Sequence, residues 1–209
     1  MANSVDLTRK DREYEETFRY LEMIVVEYGY MSAFVCNEKG LVTIATIEEN
    51  VGRDVSKKDY FKNALLGSTH ATSIMPSEIS LINEFDEEEI GLPTMLISTP
   101  LKSKDDNIIG VVTLRVHVGT LSNMMHSQTF GKTGETYLVS KDGYMLSEPR
   151  FTRHLIKKDV VKKRSALELK LVDPVTGKLT YGVAQCVAGK NGSDSKGYKD
   201  YAGVPVLGV

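Results

Sequence analysis

The 209-residue chain carries 26 basic against 28 acidic side chains, a formal charge of −2, so no global basic field recruits nucleic acid or an anionic membrane. Hydrophobic residues make up 41% and charged residues 26%, the profile of a folded rather than a disordered chain, with room for one large domain or two small ones. The cysteines, Cys36 and Cys186, each lie in an apolar run and read as buried thiols; neither a disulfide framework nor a zinc motif is present, and no metal or other cofactor is expected.

Residues 5–28 contain no Gly or Pro, and Leu7, Tyr14, Phe18, Leu21 and Val25 recur at helical spacing. This predicts one long amphipathic helix, closed by Gly29. FVCNEKGLVTIAT (34–46) then reads as a hairpin around Gly40, and YLVSKDGYMLSEP (137–149) repeats its pattern around Gly143. A second echo pairs GLPTMLI (91–97) with GVPVLGV (203–209), so two modules of one architecture are expected.

The first module continues with a short helix (59–66), a strand near 71–75, and NEFDEEE as a solvated acidic loop without calcium-loop spacing. It closes with a hairpin of TMLISTPLKS and IIGVVTLRVHV, and GTLSNMMHSQ follows as a linking helix. The second module repeats the opening hairpin, passes through helical or irregular sequence, and shows strands near 178–188, 197–202 and 204–209. The fold class is therefore α+β, a long N-terminal helix followed by two PAS-like modules, each a central antiparallel sheet flanked by helices. Expected boundaries are 1–30 for the helix, 31–118 and 131–209 for the modules, and 119–130 for the linking helix. Nothing after residue 209 matches IIGVVTLRVHV, so the second sheet is expected to lack its last strand and the chain to be an excised fragment.

Three stretches carry a family resemblance. GRDVSKKDYFKNALLG (52–67) resembles the G-x-D-x-S-x-R-x-Y-F-x-x-A-L-x-G motif of double Cache, or PDC, sensor domains. GKTGETYLVSKDGYMLSEPRF resembles their second-module opening, and GYKDYAGVPVLGV their late strand pair. The resemblance implies an extracytoplasmic sensor held between membrane helices of a histidine kinase or chemoreceptor, with a membrane-distal ligand-binding module and a membrane-proximal relay module. It implies no catalytic residue in the sensor itself, although the full-length protein can be a histidine kinase.

Carried over by position, the family's ligand-contacting Arg falls on Lys58, which keeps the charge but loses the bidentate fork, and the aromatics fall on Tyr60 and Phe61. On VVTLRVHV, strand alternation groups Thr113, Arg115 and His117 opposite Val112, Leu114, Val116 and Val118. Arg115 stands about where amino-acid-binding members carry an Asp, and a cation there is a feature of dicarboxylate-binding members. If Lys58 and Arg115 converge with no carboxylate between them, a bound anion relieves their repulsion, and Ser98 and Thr113 add neutral donors. The expected ligand is a small carboxylate.

Plainer readings stand beside these. Lys57, Lys58, Asp59 and Lys62 also suit a solvated helix start, Tyr60 and Phe61 suit core aromatics, and Arg115 and His117 suit the wet face of an open sheet. His117 alone fits a structural role as well as a ligand contact. No nucleophile elbow or phosphate loop is present, since GKTGET leads into a strand. The alternatives for function are a ligand-free interaction ectodomain, dimerised through the long helix, and an amino-acid-binding chemoreceptor sensor.

Overall fold

The structure, a computed structural model, describes residues 12–127 and 131–208. Leu7 and the rest of the predicted helix start, residues 128–130 of the linking segment, and Val209 lie outside the described residues. The chain is α+β and divides into two compact units, with the boundary between His117 and Val118.

In the first unit, helix α1 (Arg12–Tyr28) buries Tyr14 and Leu21 with Phe18 and Val25 beside them, and Gly29 takes a left-handed φ of 66° as Tyr30 N–H donates to the Val25 carbonyl. Strands β1 (Ser32–Asn37) and β2 (Val42–Ala45) form the first hairpin. Its turn is held by Asn37, whose Oδ1 accepts from the N–H groups of Lys39 and Leu41, and by Gly40 at φ 85°. A 3-10 turn at Glu48–Asn50 and helix α2 (Asp59–Leu65) follow.

The predicted strand near 71–75 is two short pieces, β3 (His70–Ala71) and β4 (Met75–Pro76), both paired with β7. The predicted acidic loop is folded instead. It carries a small hairpin of β5 (Leu81–Ile82) and β6 (Glu88–Glu89), because Asn83 Oδ1 accepts from the N–H groups of Phe85 and Glu87 and Asp86 takes a left-handed φ of 60°. Strands β7 (Pro93–Lys102) and β8 (Ile108–His117) close the unit as a long hairpin.

The sheet runs in the order β2-β1-β8-β7-β3, with β4 also on β7. Both faces are covered, and the sequence alternation decides which side chain meets which cover. Ala33, Val35, Val112 and Leu114 pack with α1, whereas Phe34, Cys36, Leu96 and Val111 pack with Tyr60, Phe61 and Ala64 of α2. Burying an apolar side chain contributes about 1.5–3 kcal/mol each, so these two layers fix the register of β8 and with it the face on which Arg115 stands.

The second unit contains α3 (Val118–Ser127), α4 (Thr152–Lys157), α5 (Tyr181–Val187), β9 (Asp194–Lys199) and β10 (Pro205–Gly208). The expected central sheet is not found among its described residues. They show a two-stranded β9–β10 ribbon and isolated bridges such as Val139 with Met145, around a core including Met145, Leu155, Leu171 and Tyr201. The strand expected at 178–188 is mostly α5. A seven-residue apolar run cannot be told from a helix by periodicity alone, and here Val183 is the residue it buries. As a helix it leaves Cys186 exposed, against the buried thiol expected; Cys36 is buried.

Among the described residues no helix is long and apolar enough to cross a membrane, and no group of three or more metal-ligating side chains occurs.

Candidate functional site

A pocket opens in the first unit on the α2 side of the sheet. Its apolar wall comes from Phe34 and Val42 of the first hairpin, Val55, Leu96 of β7, and Met75 and Pro76 of β4. Its polar groups are Asn50, Arg53, Tyr60, Glu78 and Arg115. The space within is about 10 Å³, room for about one water molecule, so the structure is a closed form.

Arg115 dominates the chemistry. It sits mid-sheet, across from Ser32 on β1 and Leu96 on β7, and is only 5% exposed. One terminal N–H donates to Thr94 Oγ1 at 2.9 Å, while Nε has no hydrogen-bond partner. Burial pushes the guanidinium pKa down from its ordinary value, with Arg53 adding repulsion and Tyr60 and Glu78 opposing the shift. An arginine nonetheless stays charged at any ordinary pH. Two more buried polar atoms lack partners nearby in the fold, Asn50 Nδ2 in the pocket lining and Ser32 Oγ on the strand position facing Arg115. A buried cation and two unsatisfied groups in one region make an unusual concentration, since buried polar atoms are normally paired.

At the more exposed edge lies an ion cluster. Glu78 accepts from Arg53 at 2.9 Å through one oxygen and from Lys58 through the other, and Arg53 also donates to Asn50 Oδ1. The Lys58 hydrogen bond holds the Glu78 carboxyl below its usual range, against a smaller opposing effect of burial. Tyr60 packs edge-on to Phe34 with ring centroids 6.3 Å apart, and burial pushes its hydroxyl up to about 12, so it remains a hydrogen-bond donor.

The predicted site residues therefore fall into four places. Tyr60 and Arg115 line the pocket together. Lys58, at the N-terminal end of α2, is not itself in the lining but pairs with the lining carboxylate Glu78, so the two cations do not converge free of a carboxylate. Phe61 is in the core, and Ser98 and Thr113 are fully buried and hydrogen-bonded to each other at 2.9 Å. His117 lines a different, open apolar groove with Met31, Ile47 and Leu81. The solvent-facing reading of Arg115 fails because α2 and the 75–78 segment cover that face of the sheet.

Asn50, Arg53 and Glu78 were not singled out from the sequence. Arg53 lies within the GRDVSKKDYF motif, but Glu78 stands 20 residues beyond Lys58, and only the return of the chain along β7 brings the two together.

No family model and no curated protein matches the chain. Solved structures do. The ligand-binding domain of the Campylobacter jejuni chemoreceptor Tlp3, in complex with 4-methylisoleucine, aligns with a TM-score of 0.50 at 15% identity over 70% of this chain and 55% of that one. The ligand-binding domain of the Pseudomonas aeruginosa PAO1 amino-acid chemoreceptor PctC, in complex with GABA, aligns at 0.45 and 20% identity over 69% and 60%. The sensor domain of the V. cholerae histidine kinase DctB aligns at 0.47 and 12% identity over 66% and 49%. The chain spans about half to three-fifths of the length of these structures. At such identities the likeness is one of fold, and the bound ligands belong to those proteins.

Proposed function

We propose that this chain is the extracytoplasmic ligand-sensing part of a membrane-anchored receptor of the double Cache type, a histidine kinase or chemoreceptor, and that its first unit binds a small organic anion through Arg115. In this reading residues 31–118 are the membrane-distal PAS-like module and 131–209 the membrane-proximal one. The observation that carries the anion is the buried guanidinium with an unpartnered Nε in the pocket lining. A buried charge without a counter-ion costs several kcal/mol, and a carboxylate seated on Nε and the adjoining N–H would offset that cost with charge-assisted, bidentate hydrogen bonds. Asn50 Nδ2 and the Tyr60 hydroxyl supply neutral donors to the same ligand.

Because the pocket has room for only about one water molecule, binding selects or creates a wider arrangement of it. The signal can be no larger than the ligand's differential affinity for the two arrangements.

Calorimetry against short-chain carboxylates tests this reading. Arg115→Met is expected to lower carboxylate affinity by about 30-fold or more, since removing a desolvated charge pair costs about 2–5 kcal/mol. Without ligand it should unfold at the same or a higher temperature than the parent, because the replacement removes an unpaired buried charge. A variant that binds as tightly as the parent would overturn the assignment of Arg115.

The near-filled pocket also favours a second reading, an interaction ectodomain that takes no small molecule. The outer face of α1 exposes Tyr20, Met23 and Val26, which a partner copy could cover. That reading requires a dimer that Met23→Glu dissociates, together with no response to any carboxylate or amino acid.

A further inference from the structure

The pocket lining contains two cations, Arg53 and Arg115, and one carboxylate, Glu78. They differ in depth: Arg115 is 5% exposed, whereas the side chains of Arg53, Lys58 and Glu78 are 31%, 37% and 43% exposed. Both oxygens of Glu78 are engaged, one by Arg53 and the other by Lys58. The edge cluster is thus two cations sharing one anion, and among the described lining residues Arg115 has no such partner.

Resting on the anion reading above, we infer that Glu78 is the residue that tunes the charge of the ligand: it offsets one of the two cations, Arg53 and Lys58, at the pocket edge, leaves Arg115 to bind, and so reduces the preference for dicarboxylates that those two cations would otherwise create. A first carboxylate reaches the deep guanidinium and lays its hydrocarbon chain along Phe34, Val55 and Leu96. A second carboxylate at the other end of a short ligand would approach the edge, where Glu78 opposes the attraction that Arg53 and Lys58 exert on it. Like-charge juxtaposition discriminates between partners more strongly than it changes the affinity for the right one. Glu78 remains ionised because Lys58 hydrogen-bonds it, so the selection operates throughout the neutral range.

An amine on the ligand would give the opposite outcome, with Glu78 as its acceptor. Both carboxylate oxygens are already held by cations, whose charge repels an ammonium group at the far end of the ligand, and this favours simple carboxylates over ω-amino acids.

Three probes of equal chain length separate these cases: butyrate, succinate and 4-aminobutyrate, titrated by calorimetry into the parent chain and into Glu78→Gln. Glutamine keeps the side-chain length and can still accept from Arg53 or Lys58, and a thermal melt checks that the variant is folded. Glu78→Gln should tighten succinate by about tenfold or more relative to butyrate. The gain should shrink as salt is raised, because the edge cluster is solvent-exposed. Lys58→Gln should move both anions the other way, weakening succinate more than butyrate. An unchanged succinate-to-butyrate ratio in Glu78→Gln would overturn the role of Glu78 while leaving Arg115 as the anchor. Tight 4-aminobutyrate binding that Glu78→Gln abolishes would overturn it in favour of ammonium recognition. Failure of the parent to bind any of the three overturns the anion reading itself.

Discussion

Buried and exposed copies of the same side chain behave as different chemical groups in this protein. The Cys36 thiol is fully buried in β1 and donates to the Val111 carbonyl at 3.5 Å; burial pushes it up to about 12, so it is never the reactive thiolate at neutral pH. Cys186 on α5 is exposed. Alkylation under native conditions should therefore modify Cys186 alone, and denaturation should release the second thiol; rapid native labelling at Cys36 would contradict the buried β1. Glu135 illustrates the same effect with a carboxyl group. It accepts the Tyr201 hydroxyl proton at 2.6 Å through one oxygen, its other oxygen has no hydrogen-bond partner, and burial raises its pKa. A carboxyl raised in the folded state is most favourable when protonated, so its contribution to stability falls as pH rises from the unfolded-state pKa through the folded one. Glu135→Gln should raise the melting temperature by about 1–4 °C at neutral pH, and the gain should vanish in mildly acidic buffer; melts across that range check the sign.

At the level of elements, turns were legible where a glycine is sterically required. Gly40 and Gly143 take φ of 85° and 81° in the two hairpins that the sequence echo pairs, and Pro93 and Pro205 open β7 and β10 in the other echo. Gly40 is the stricter position: a Cβ there would lie 2.6 Å from the backbone of Ser56, whereas at Gly52, also at positive φ, it would meet nothing within 4 Å. Gly40→Ala should therefore cost more than the about 1 kcal/mol expected from conformation alone, and clearly more than Gly52→Ala, as read by chemical denaturation. Equal losses would mean that the Ser56 backbone yields easily. Helix α5 was misread because Tyr181, Val183, Gln185 and Val187 alternate as a strand would, and nothing local opposes that reading. The tertiary context does: Tyr198 of β9 packs on Gly182, where a Cβ would lie 2.2 Å from the tyrosine hydroxyl.

For the whole molecule, ligand binding to the first unit should appear as slowed hydrogen exchange in the elements that surround the pocket. The expected segments are β1, β8, α2 and residues 74–79, since binding stabilises the ligand-bound arrangement in proportion to the logarithm of ligand concentration. Mass spectrometry with a saturating monocarboxylate reads this directly, and protection confined to the His117 groove would move the site there. A change spreading into the second unit would measure how far binding is relayed, which is what a sensor requires.

Local sequence determined the α+β class, α1 with its apolar face, the hairpin turns, the position of α2 and the two-sided character of β8. Each is encoded by side-chain period or turn chemistry within about ten residues. It also pointed to Tyr60 and Arg115. Only the tertiary structure decided that Arg115 is buried, because that depends on α2 and the 75–78 segment covering one sheet face. It alone brought Glu78 to Lys58 and into the pocket lining with Arg115, since β4 pairing with β7 folds that segment back over the pocket. The charge that defines the candidate site is a sum over residues from β8, α2 and two loops. No local pattern in the chain records such a sum, because the attraction and repulsion that set it act through space.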